Sequence, residues 1–160
     1  MKRNGKKGVL GKLLVGILVG VLVMGCFSSI AQAKTKTVVF KDVTTKTEYQ
    51  ASIKYLYDNG AYVGIAEKGK KFKPNAIMTR REFVKTLRNL YGSRISIKTP
   101  KKNVKLTQSY ATETLCSVSK QLGYKVRWSG GAPKATVTRA KAAYYVRLMI
   151  KNGGGKLNPN

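Results

Sequence analysis

A chain of 160 residues with 32 Lys and Arg against 6 Asp and Glu, and no His, carries a formal charge of +26. That length suits one modest domain, and that charge selects polyanionic partners: nucleic acid, anionic lipid or acidic polysaccharide. The acids are scattered at Asp42, Glu48, Asp58, Glu67, Glu82 and Glu113, so neither a catalytic pair nor a metal-ligand cluster is legible. The composition points to a binding protein without cofactor or metal, and not to an enzyme.

At the start, Lys2, Arg3, Lys6, Lys7 and Lys12 precede an uncharged, mostly apolar run from Leu13 to Phe27 that ends near Ala31-Gln32-Ala33. This reads as a secretory signal peptide over residues 1–33. The run is shorter than the roughly 20 apolar residues a spanning helix needs, so no stable transmembrane helix is expected after processing. Gly25-Cys26 offers a second reading, a lipoprotein site with Cys26 lipidated. Loss of residues 1–33 leaves Cys116 without a disulfide partner in the chain. The expected location is the outside of a bacterial cell, secreted or held at the cell wall or cell surface.

After a basic lead over residues 34–39, a helix is predicted from Glu48 onward, with Ile53, Leu56 and Tyr57 on its apolar face and Asn59-Gly60 ending it. Gly64 and the Lys-rich stretch to Lys71 read as a loop closing at Phe72-Lys73-Pro74. A second helix opens at Thr79 as N-cap with Glu82 at capping-box spacing, and Phe83, Val84, Leu87 and Leu90 form its face. Residues 92–100, with Pro100, read as a linker. The unit then recurs: Tyr110, Leu115, Val118 and Leu122 on a helix with Gly123 past its end, then Pro133, and Thr138-Arg139 opening a helix that carries Ala142, Ala143, Val146 and Met149. Pro133 stands six residues before Arg139, as Pro74 does before Arg80, at an offset of 59 residues. Residues 151–160 form a polar, Gly-rich tail. The expected architecture is all-α, two tandem helix-loop-helix repeats packed as a small bundle. Its expected core is Ile53, Leu56, Phe83, Val84, Leu87, Leu115, Val118, Leu122, Val146 and Met149.

Phe40-x-Asp42-Val43, Ile53-x-x-Leu56-x-x-x-Gly60-x-x-x-Gly64, Phe72-x-Pro74 and Ile77-Met78-Thr79-Arg80 follow in order, and this string resembles an S-layer homology repeat. Residues 40–91 match closely, and residues 101–150 match loosely through Tyr110-Ala111, Leu115, Gly123, Pro133 and Val137-Thr138-Arg139-Ala140. The resemblance implies attachment to the bacterial envelope by binding a secondary cell-wall polysaccharide whose sugars often carry an acidic pyruvate ketal. A carboxylate suits a helix N-terminus, and an Arg just inside that terminus adds a planar fork for it. The candidate polymer-binding residues are therefore Arg80 and Arg139, the capping Thr79 and Thr138, and Trp128 as an exposed aromatic in the loop of the second repeat.

The chain departs from the family in three ways. Glu48, with Tyr49 beside it, stands where a Trp is usual. Asn103-Val104 replaces Asp-Val, and Gly131 replaces the Phe before Pro133. Family members usually assemble three repeats around a pseudo-threefold axis, whereas two are visible here; self-association would complete such a bundle. The competing reading is an exported cationic protein adhering by charge alone to teichoic-type polymers, anionic lipid or extracellular DNA, with no specific nucleic-acid site.

Overall fold

The computed structural model describes residues 39–126, 128 and 132–153; the expected signal peptide, residues 34–38 of the basic lead and residues 154–160 of the tail lie outside the described residues. Among the described residues four helices follow one another: α1 (Gln50–Asp58), α2 (Arg80–Tyr91), α3 (Gln108–Gln121) and α4 (Arg139–Asn152), with a 3-10 turn at Gly92–Arg94. The fold is mainly helical, with no sheet among the described residues.

The helix boundaries follow local chemistry. Thr79 accepts from the Glu82 N–H while Glu82 reaches back to the Thr79 N–H at 3.0 Å, the complete capping box read from the sequence. Thr107 and Thr138 cap α3 and α4 by accepting from Tyr110 N–H and Lys141 N–H. α1 starts later than expected and has no side-chain cap. Its N-cap is Tyr49, held at φ +57, and its ring stacks on Tyr144 of α4 at 4.6 Å. A left-handed non-Gly residue costs energy, and the stack offsets that cost. Arg147 lies over the Tyr55 ring at 5.4 Å. Through these contacts α1 packs against α4, the last helix, instead of forming a close hairpin with α2.

Between α1 and α2 the chain makes a long excursion around the rings of Phe40, Tyr57, Tyr62 and Phe72, whose centroids lie 4.9 to 6.3 Å apart. Asp42 fixes this excursion by accepting from the Phe72 N–H at 2.7 Å and the Lys73 N–H at 2.8 Å. Those bonds hold Lys73 in its left-handed conformation. Every residue of the expected core is buried except Leu122, which is half-buried at the C-cap of α3. Phe40, Phe72, Leu106 and Val137 are buried as fully and join the same core.

The organising feature is a ring. Met78 N–H donates to the Val137 carbonyl at 3.0 Å, Val137 N–H to Leu106 at 2.9 Å, and Leu106 N–H to Met78 at 2.8 Å, closing a cycle. Antiparallel bridges Ile77–Thr138, Thr79–Lys105 and Thr107–Thr136 surround it. A second cycle lies outside the first: Arg80 N–H to Val104, Gln108 N–H to Ala135, and Arg139 N–H to Ala76, at 2.8 to 2.9 Å. Three segments, each an apolar residue, a capping Thr and a helix start, thus stand around one pseudo-threefold axis. α3, expected as the first helix of the second repeat, also holds the third place on that axis beside α2 and α4. The ring closes within one chain and needs no second copy.

Residues 92–100 are tied down along their length. Ile95 is buried, Ser96 N–H donates to Gln121 Oε1 at 2.6 Å, Arg88 holds Thr99 Oγ1 and the Ile97 carbonyl, and Arg81 holds the carbonyls of Pro100 and Lys101.

Candidate functional site

The ring gathers the N-termini of α2, α3 and α4, the ends where partial positive charge collects. What each can offer an anion depends on which of its first amides are already used. In α4, Arg139 N–H donates to Ala76, Ala140 N–H to Pro74 and Lys141 N–H to Thr138 Oγ1. In α3, Gln108 N–H donates to Ala135, Ser109 N–H to Pro133 and Tyr110 N–H to Thr107 Oγ1. The first three amides of these two ends are therefore taken within the chain, including those at α4 that the sequence reading offered to a carboxylate.

α2 differs at its second amide. Arg80 N–H donates to Val104 and Glu82 N–H to Thr79, but among the described residues no acceptor stands opposite the Arg81 N–H. The segment leading into α3 has no proline carbonyl at the matching place, and the Arg81 side chain instead holds that segment through Pro100 and Lys101.

The two candidate arginines diverge in the same way. Arg139, at 15 % side-chain exposure, donates Nη1–H to the Phe72 carbonyl at 2.9 Å and pairs through Nη2 with Glu82, at 27 %. Its fork is occupied by an acid of the chain. Arg80 has no acid: its guanidinium lies over the Tyr110 ring, 4.3 Å from the centroid, and its Nε is buried without a hydrogen-bond partner. The pseudo-threefold explains the contrast. Each arginine at a helix start faces the third residue of the next helix around the ring, and Glu82 and Tyr110 hold that position in α2 and α3.

Thr79 and Thr138 are placed as expected, at N-caps next to the arginines, but their side-chain oxygens accept helix amides. Trp128 does not join either end. It is half-buried, edge-to-face with Tyr145 at 6.2 Å, with its indole nitrogen buried. The sequence reading of an exposed Trp is corrected here, because Tyr145 on α4 gives the ring an apolar surface to cover. Lys141 approaches the same Tyr145 ring at 5.9 Å. Among the described residues, no group of three or more His, Cys, Asp or Glu could hold a metal ion, and Cys116 is free and half-buried.

Sequence reasoning missed Tyr110 as the platform under Arg80, Glu82 as the acid held by Arg139, and Gln108 as the third helix start. The signal was present in three copies: Met78-Thr79-Arg80, Leu106-Thr107-Gln108 and Val137-Thr138-Arg139. No family model matches the chain, and no curated protein matches it.

Proposed function

We propose that this chain is a non-catalytic envelope-attachment protein that holds an anionic cell-wall polysaccharide at the N-terminus of α2. One observation carries the reading: Arg80 keeps an unpaired guanidinium with a buried, unpartnered Nε, over an aromatic face and next to the open Arg81 amide. A planar fork and a helix-start amide are the two donor types that recognise a carboxylate, and Tyr110 keeps the fork flat and in place. The likeness to S-layer homology repeats supports the same ligand class, an acidic and often pyruvylated wall sugar. Without residues 1–33 the chain keeps 27 Lys and Arg against 6 Asp and Glu, and this formal charge of +21 would concentrate it at an anionic wall before docking, an effect that fades as salt shortens the screening length.

The test is retention on cell walls, on walls stripped of acidic polysaccharide, and on DNA, at low and physiological salt, for wild type and Arg80→Lys. The expected result is retention on intact walls at physiological salt, lost on stripped walls and reduced in Arg80→Lys, because Lys offers a point charge where Arg offers a fork. Equal retention on stripped walls and DNA, with Arg80→Lys indistinguishable from wild type, replaces the site with charge-driven adhesion to any polyanion.

A further inference from the structure

We infer that Glu82 is an internal ligand: its carboxylate occupies the guanidinium fork of Arg139, so that the protein takes polymer at one of two related arginines. The inference rests on the reading of Arg80 as a carboxylate site and extends it to the number of sites.

The two arginine positions are built alike by the ring, with an Arg at the first position of a helix, its N–H spent on the neighbouring segment, and its fork turned to the third residue of the next helix. At one position that residue is Tyr110 and the fork stays unpaired. At the other it is Glu82, and the fork takes its carboxylate. This is the contact a sugar carboxylate would make, supplied from within.

A second feature lies in the packing around Arg139. Tyr62 is 3 % exposed, and among the described residues its hydroxyl has no hydrogen-bond partner. The ring packs on Phe72, whose carbonyl Arg139 holds. A buried hydroxyl without a partner costs stability, and Glu82 does not relieve it.

Glu82 can be altered without dismantling the helix, because Gln satisfies a capping box as Glu does. Glu82→Gln keeps the bond to the Thr79 N–H and removes the charge that competes for Arg139. Glu82→Ala removes the remaining amide contact as well.

The experiment is calorimetric titration with a methyl pyranoside carrying a pyruvate ketal, on the full chain, for wild type, Arg80→Ala, Glu82→Gln, Glu82→Ala and Arg80→Ala/Glu82→Gln. Helicity is checked by circular dichroism. Wild type is expected to bind one equivalent, lost in Arg80→Ala. Glu82→Gln and Glu82→Ala are expected to bind two. Arg80→Ala/Glu82→Gln is expected to keep one, abolished by Arg139→Ala. One equivalent in both folded Glu82 variants overturns the inference, as does no binding to Arg80→Ala/Glu82→Gln. Absence of wild-type binding alone removes the Arg80 reading, and the double variant then still decides this one.

Discussion

The starts of α2 and α4 carry the same Thr-Arg pair after the same proline spacing, yet they are chemically unlike. At α4 the amides are consumed and the arginine is paired; at α2 one amide and the guanidinium remain open. A motif fixes where an arginine stands. The residue facing it from another part of the chain fixes what it is free to hold.

The most damaging change is expected to break both ends together. Leu106 is fully buried beside the inner ring, so the cavity left by Leu106→Ala should cost about 2–5 kcal/mol in denaturant unfolding. A loss near that of an exposed site would show that the Leu106 side chain does not pack the three helix starts together.

Tyr110→Glu should turn the first end into a copy of the second by giving Arg80 an acid. Wall-polymer binding is expected to fall about 10- to 100-fold, the equivalent of losing a charge-assisted contact of about 1.5–3 kcal/mol. Unchanged affinity would remove Arg80 from the site.

Removing each arginine separates structure from binding. Arg139→Ala strands Glu82 and the Phe72 carbonyl and should cost about 1–3 kcal/mol of stability. Arg80→Ala, with no paired acid, should cost less than about 1 kcal/mol, chiefly its contact with Tyr110. The reverse order in thermal melts would contradict the pairing described here.

The smallest effect is expected at Tyr62. Its buried hydroxyl makes no hydrogen bond among the described residues, so Tyr62→Phe should leave stability unchanged or raise it by up to about 1 kcal/mol near neutrality. Burial pushes the Tyr62 phenol well above its usual range, with Arg139 opposing, and burial does the same to Tyr91. Both phenols then hold their protons more tightly in the folded chain. Stability should fall as pH rises through about 10, where the unfolded tyrosines ionise first. Tyr62→Phe should blunt that fall in melts across the alkaline range.

Local chemistry made much of this legible. The capping box at Thr79 and Glu82 spans three residues, and the apolar faces of α2 and α4 repeat at helical spacing, so both could be read along the chain. Trp128 was misjudged because its cover, Tyr145, comes from a helix that starts beyond a loop. The ring was invisible because its bonds join Met78, Leu106 and Val137, which are far apart in sequence, and because Gln108 replaces Arg in the middle copy. Glu82 was read as a cap and nothing more; its second partner lies 57 residues away.

The cyclic closure at Met78, Leu106 and Val137 also sets a timetable. A chain delivered N-terminus first, by a ribosome or through a narrow channel, exposes the first segment, then the second, and neither cycle can close until residues 135–139 emerge. α1 waits as well, since the helix it packs on is the last to appear. Pairings so distant in sequence form late and slowly, because the closure entropy must be met before the contacts stabilise anything. Closure of this core is therefore deferred until residues 135–139 have been delivered.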